Sequence, residues 1–455
     1  MLPTVRLSPV EGLAPGGARR RLRGWLEEKV KQQAFVVMIL CVISLIAALT
    51  VPGETGRVLL YKLTYLLAGI LAVSYLWSWS SVRWLEFTRR PRTRRSEVGK
   101  FIEERFQVRN RGLIPKLWVE IRDHSDLPGH YASRVLSTLG ARQRRKWTVK
   151  TTCWQRGCFT LGPATLLGGD PFGLFQKRLQ VEDTSTLVVY PAMVDLTTFA
   201  QPLAQLPGGD AVRRRTHYIT TNVAGVRDYA PGDSFNRIHW PSTARKERLI
   251  VKEFELDPTA DVWIFLDMDA RVQGGQREEP VIEPEVPALL RTRPARLRLM
   301  PTTEEYGVTI AASLARHFSV RGRAVGLVTY GQRREVLQAD RGERQLAKIL
   351  ETLAVIQAQG CSPLAQVLAV EGKYLRQGTT LVIITPSTDR YWVLVARDLT
   401  RRGLRSTAVL LDARSFGCDT GAEALVSELA ASRIPACVVH RDDDLKVALS
   451  RQVGL

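Results

Sequence analysis

Hydrophobic positions along the chain fall into three textures. Ala34 to Val51 runs eighteen residues without a charge, and a second apolar segment extends from about Leu63 to Val82. Each is long enough to cross a membrane as a helix, and Pro52-Gly53-Glu54-Thr55-Gly56 makes a short turn between them. From about 96 to 193 the period drops to two. Phe106 to Asn110, Leu117 to Ile121, Trp147 to Thr151, Gly157 to Gly162 and Leu187 to Tyr190 predict short strands, and Asn110-Arg111-Gly112 a turn. Such spacing predicts a small β-sandwich. Asp170-Pro171-Phe172-Gly173-Leu174-Phe175 predicts a turn in which Phe172 and Phe175 pin a loop to that sandwich.

The third texture alternates strand and helix. Val262 to Asp267 is a continuous apolar run ending in an acid, as a strand covered on both faces would be. Helical periods then cover about 305–321, 343–358, 389–402, 421–432 and 443–452, with strands at 324–330, 380–385, 406–411 and 436–439. This alternation predicts an α/β domain with a doubly wound parallel sheet. Residues 194–224 read as a connector, and 272–303, rich in Pro, Glu and Arg, as an insertion at the sheet's carboxyl edge.

The charge changes this picture only near the membrane. The formal net charge is +20, which raises nucleic-acid binding, but the distribution argues against it. Residues 1–33, a basic head, carry seven Lys/Arg against three acids, and residues 83–95 carry six Arg against one acid. These clusters flank the apolar segments, where basic residues mark the cytoplasmic side and meet anionic lipid. Residues 34–82 therefore read as a transmembrane helical hairpin of a multi-pass inner-membrane protein, with all later domains cytoplasmic. The preceding charged region is too long for a signal peptide. Tyr75, Trp77, Trp79 and Trp84 suit an interfacial belt, and the arginines after them a stop-transfer signal. The six cysteines show no zinc spacing, and no nucleic-acid motif is present.

The densest chemistry lies in Gly225 to Arg245. Pro231 and Gly232 suit a type II turn, with Asp233 after it and Arg227, Arg237 and Arg245 as planar donors for Asp233 or Asp228. Ile238 and Trp240 alternate with Arg237 and His239, which suits a half-buried strand. This pattern, on Gly225, Arg227, Tyr229, Gly232, Asp233, Arg237, Ile238, Trp240, Thr243, Ala244 and Arg245, closely resembles the signature of the bacterial domain-of-unknown-function fifty-eight proteins. The resemblance implies architecture rather than a reaction. It implies a bacterial membrane protein, commonly encoded beside MoxR-type AAA+ ATPases and transglutaminase-like membrane proteins. The signature has two readings: a paired network with Trp240 and Tyr229 as its buried surface, or a cationic docking site for an acidic segment or phosphate.

In order and shape, residues 225–455 also look similar to a von Willebrand factor A domain. That resemblance implies a Mg²⁺ site that recruits a partner's carboxylate. Asp267 keeps the acid of its first motif, Asp269 replaces one serine as an oxygen ligand, Arg271 replaces the other serine, Ser362 stands for a threonine, and Thr385 or Asp389 for the last ligand. The substituted arginine makes this site degenerate. For an enzyme the residues are poor: there is no glycine-rich phosphate loop, and none of the six histidines sits in a nucleophile motif. His239 beside Asp233 is the nearest approach to a general base, and a solvent-facing strand histidine is the commoner explanation. The expected function is a non-enzymatic membrane-tethered scaffold or adaptor acting with such an ATPase. Metal-dependent ligand binding or adhesion in the cell envelope is the alternative.

Overall fold

The computed structural model describes residues 16–199, 223–230, 238–254, 261–276 and 299–451. The chain divides into two compact units, Met1–Val189 and Tyr190–Leu455. Most of the connector and most of the expected insertion lie outside the described residues.

The first unit begins with two long helices, α1 (Gly16–Thr50) and α2 (Glu54–Val82). Helix α1 reaches back into the basic head, well before the apolar segment. Gln33–Thr50 and Glu54–Val82 are long and apolar enough to cross a membrane, with mean hydropathy of 2.5 and 1.6. The helices are antiparallel neighbours, joined where Ser44 Oγ donates to the Leu60 carbonyl at 3.2 Å and Thr64 Oγ1 to Ser44 Oγ at 3.0 Å.

Ten strands follow: β1 (Leu85–Pro91), β2 (Arg95–Glu97), β3 (Phe101–Asn110), β4 (Val119–Asp123), β5 (Arg134–Leu136), β6 (Arg144–Thr152), β7 (Gly157–Leu161), β8 (Ala164–Gly169), β9 (Gln176–Val181) and β10 (Ser185–Tyr190). They form sheets of order β1-β3-β6, β2-β10-β7 and β5-β4-β8-β9. Val108 on β3, Val119 and Ile121 on β4 and Leu166 on β8 share one core, closed by Phe87 and Trp147. The sandwich thus starts earlier than expected, at Leu85.

That earlier start corrects the reading of the arginine run. Alternation on β3 turns Glu104 inward between Ile102 and Phe106, where it is fully buried. A buried carboxylate needs a partner, and Arg89 on the adjacent β1 supplies it. Arg89 Nε meets Glu104 Oε1 at 2.9 Å, and its Nη1 meets Asp123 Oδ1 at 2.8 Å. His130 Nε2 lies 3.1 Å from Glu104 and 3.2 Å from Asp123, and Ser125 Oγ donates to Asp123 at 2.6 Å. Arg89 is therefore a core residue, not part of a solvated stop-transfer face.

The Asp170–Phe175 turn is also built differently. Asp170 accepts from the Phe172 and Phe175 N–H groups at 3.0 and 2.7 Å. Phe175 meets Tyr75 of α2 edge-on at 5.8 Å between centroids. Phe172 is 58% exposed, so it does not pin the loop.

In the second unit, β13 (Val262–Leu266) is the centre of a six-stranded sheet, all five residues buried. The other strands are β14 (Val325–Tyr330), β15 (Arg334–Asp340), β16 (Thr380–Thr385), β17 (Arg405–Leu411) and β18 (Ala436–Val439), in the order β15-β14-β13-β16-β17-β18. A separate pair, β11 (Val223–Asp228) and β12 (Ile250–Phe254), is antiparallel. The helices are α3 (Trp240–Lys246), α4 (Thr303–Val320), α5 (Glu343–Val355), α6 (Leu364–Glu371), α7 (Tyr391–Arg401), α8 (Glu423–Ala431) and α9 (Leu445–Ala448).

Alternation on β13 divides the core. Val262, Ile264 and Leu266 pack with α4 and α5, while Trp263 and Phe265 pack with α6, α7 and α8. Gly326 pairs with Trp263 across β13 and β14, and any Cβ there would strike the indole at 2.8 Å. The sheet is mixed: β15, missed by the periodicity, runs antiparallel at the edge. Its Arg334 bonds Glu371 on α6 at 2.9 Å, a charged cover for an open edge. Part of the connector is structural too. Val194 N–H donates to Ser313 on α4 at 2.9 Å, Leu196 is buried in the core, and Phe199 meets Phe318 edge-on.

Candidate binding cleft

In the mixed sheet the chain leaves β13 for one neighbour, β14, and later returns to the other, β16. Open α/β sheets leave a crevice at such a reversal, outside the carboxyl ends of the strands. A cavity of about 210 Å³ lies there, lined by Asp267, Asp269, Arg271, Pro363, Ala365, Ser387, Asp389 and Trp392, among others.

Asp267 directly follows β13 and is buried. Its carboxylate accepts from Thr385 Oγ1 at 2.6 Å and from the Asp269 N–H at 3.1 Å. Burial dominates, and the neighbouring Asp269 charge adds to it, so the Asp267 carboxyl is pushed up to about 6 despite those two bonds. Asp269 goes the other way, held below the usual carboxylate range chiefly by hydrogen bonds from Arg271. Arg271 forks onto Asp269, Nε to Oδ1 at 2.9 Å and Nη2 to Oδ2 at 2.6 Å, and Nη2 also donates to the Cys361 carbonyl at 3.0 Å. Its side chain remains 61% exposed.

The segment before α6 closes one wall. Gly360 bridges Asp269, donating to the Met268 carbonyl at 3.0 Å while its own carbonyl takes the Ala270 N–H at 2.9 Å. A Cβ at Gly360 would collide with the Tyr330 carbonyl oxygen, so only glycine fits. On the other wall, Asp389 accepts from the Tyr391 N–H at 3.0 Å at the head of α7. Trp392 is fully buried, and its indole N–H has no hydrogen-bond partner among the described residues.

The structure therefore brings Asp267, Asp269, Thr385 and Asp389 to one edge, with Ser362 in a small adjoining pocket beside Asp267. Among the described residues no group of three or more His, Cys, Asp or Glu is placed to hold a metal ion. Asp269 is turned onto Arg271 and Asp267 onto Thr385, so each of these carboxylates already has a partner in the cleft. Sequence reasoning missed Gly360 and Trp392. A glycine before Cys-Ser-Pro was the available signal for the first, and nothing marked the second.

The signature segment is built around β11 and β12. Ile238 bridges Val251 and is buried, Tyr229 N–H donates to Leu249 at 2.9 Å, and His239 N–H to Ile250 at 2.8 Å. His239 and Trp240 are not on a strand. His239 caps α3, its Nδ1 lying 2.7 Å from Ser242 Oγ, and Pro241 occupies the first turn. Proline at a helix start was a usable signal. Trp240 is 65% exposed, not the buried surface expected of it. Asp228 pairs with Arg248 at 3.0 Å, and Arg245 is exposed. Arg227 lies on β11, while Gly232, Asp233 and Arg237 lie outside the described residues.

A family model described as "Protein of unknown function DUF58" matches residues 225–283, from the signature through β13 to Asp267 and Asp269. Over those residues the chain is similar to the DUF58 family. The uncharacterized protein YeaD of Bacillus subtilis (strain 168) is similar to this chain, 25% identical over 223 residues, 49% of this chain and 48% of the relative. The chain thus spans about half the length of the curated relative it matches. Among solved structures, a CARDB domain from Pyrococcus furiosus is 20% identical over 23% of this chain and 91% of its own, with a TM-score of 0.18. An exo-β-N-acetylglucosaminidase from Vibrio harveyi is 10% identical over 78% of this chain and 81% of its own, with a TM-score of 0.17. Superpositions this loose bear on neither the fold nor the chemistry of this chain.

Proposed function

We propose that this chain is a non-enzymatic, membrane-tethered adaptor whose cleft at the ends of β13 and β16 engages an acidic segment of a partner. The observation that carries this reading is Arg271, an exposed guanidinium standing at the mouth of a crevice at the sheet's reversal point. Its Nε and Nη2 donors are held by Asp269 and the Cys361 carbonyl, which fixes the guanidinium and leaves the Nη1 hydrogens to meet a second carboxylate. Strand order and the two helical layers support the likeness to a von Willebrand factor A domain. In that fold a hard cation at this edge recruits a partner's carboxylate. Here Arg271 supplies the positive charge in its place.

The two apolar helices would form a hairpin in the inner membrane, and the basic flanks put both units on the cytoplasmic side. A MoxR-type AAA+ ATPase is the partner class that the family resemblance suggests. A reporter fused after Leu455 should be active only in the cytoplasm, and a detergent extract should co-purify the ATPase with wild-type protein but not with Arg271→Glu. An external reporter signal removes a cytoplasmic ATPase from consideration. It would favour the envelope alternative, for which calorimetry with Mg²⁺ is the direct assay.

A further inference from the structure

The contacts between α1 and α2 fix their relative height. Cys41 lies against the Thr64 carbonyl, Ser44 against Leu60 and Thr64. Counting equally along both helices from these points sets Gln33, where the apolar span of α1 begins, level with about Val73. The stretch of α2 from about Gly56 to Val73 is then roughly 27 Å long at 1.5 Å per residue, close to a bilayer's hydrocarbon thickness. Tyr75 sits about 3 Å beyond that boundary, at the headgroup level.

The sandwich reaches the same level. The β8–β9 hairpin packs along α2, with Gly168 against Ser81 and Phe175 against Tyr75. From Gly168 to Phe175 the hairpin therefore descends toward the apolar span. At its tip, Asp170 holds the turn through the Phe172 and Phe175 N–H groups, leaving Phe172 58% exposed. Lys177 Nζ stands 5.8 Å above the Tyr75 ring. Around the same collar, Trp79 is 43% exposed with Arg83 over its ring. The buried Lys116 ammonium donates to the Ser80 carbonyl of α2.

We propose that the β8–β9 tip is an interfacial membrane anchor: Phe172 enters the headgroup–acyl boundary of an anionic bilayer, and Lys177 meets the lipid phosphates. An aromatic tip beside a cation suits that boundary, where one side is apolar and the other carries negative charge. The tip adds a second point of attachment to α2 and sets the sandwich at a fixed height on the membrane. The inference rests on α1 and α2 spanning the bilayer.

The experiment is collision accessibility of a nitroxide on the full chain in vesicles containing anionic lipid. Cys41→Ala, Cys158→Ala, Cys361→Ala and Cys418→Ala remove the accessible thiols. Single labels then go in as Phe172→Cys, Leu66→Cys on the lipid-facing side of α2 and Val135→Cys on the exposed part of β5. The expected result is that the label at 172, like that at 66, favours oxygen over a water-soluble nickel complex, while that at 135 favours nickel. A lipid-exposed label at 66 with an aqueous label at 172 overturns the anchor alone. An aqueous label at 66 overturns the spanning helices and the anchor with them.

Discussion

Replacing Asp267 by asparagine should stabilise the second unit at neutral pH. Asp267 sits under the cleft with its carboxyl pushed up from 3.8 to about 6, mainly by burial. An acid whose folded pKa is raised adds stability that is complete below its unfolded pKa, near 3.8, and is lost as pH rises through about 6. A little over two powers of ten in proton affinity amount to about 3 kcal/mol. Asparagine removes that dependence. Its oxygen keeps the Asp269 N–H, and its amide faces Thr385 Oγ1, which already accepts from the Ser387 N–H at 2.9 Å. The displaced hydroxyl proton costs about 1 kcal/mol. Asp267→Asn should therefore be within about 1 kcal/mol of wild type at pH 4 and about 2 kcal/mol more stable at pH 8. Urea unfolding of residues 190–455, followed at several pH values, measures this. A difference that does not grow with pH refutes the argument. It would mean that Asp267 is ionised and compensated in the folded protein, as a bound cation would make it.

Four further expectations follow from other contacts. Glu104→Gln removes one carboxylate from a buried ion cluster and should cost about 3–5 kcal/mol of sandwich stability by urea unfolding. His130 in that cluster is raised above 6.5 by Asp123 and Glu104, outweighing its burial. Its stabilisation is therefore complete below 6.5 and lost as pH rises through the folded pKa, a slope that His130→Gln should abolish. Gly360→Ala should disrupt the cleft wall, lowering the melting temperature of the second unit, because the Tyr330 carbonyl occupies the Cβ position. Trp240→Ala, at an exposed helix start, should change stability by less than about 0.5 kcal/mol. A loss of partner co-purification by that variant, with stability unchanged, would assign the signature face to docking.

What the sequence revealed followed from burial on two faces. Val262 to Leu266 must be apolar at every position because α4 lies on one side and α7 on the other, so the run announces a central strand. Strand β15 did not announce itself, because an edge strand carrying Arg334, Glu335 and Gln338 needs no apolar alternation. The Arg89 cluster was hidden by distance. Its partners Glu104, Asp123 and His130 come 15, 34 and 41 residues later, and an arginine after an apolar helix reads first as a membrane signal. At the cleft, Asp267 and Asp269 were legible as acids at a strand end. That Arg271 folds back onto Asp269 depends on the Gly360 wall, which local pattern does not encode.

The adaptor reading turns on whether Arg271 meets a partner in the cell. A photo-crosslinking amino acid in place of Ala365, which lines the cleft, tests this in intact bacteria. The account predicts a discrete membrane-fraction adduct containing the MoxR-type ATPase, lost when Arg271→Glu is added and weakened when Arg271→Lys is added, because an ammonium cannot hold both Asp269 and a second carboxylate as the guanidinium does. An adduct that survives the charge reversal, or no adduct while the ATPase is expressed, would contradict it.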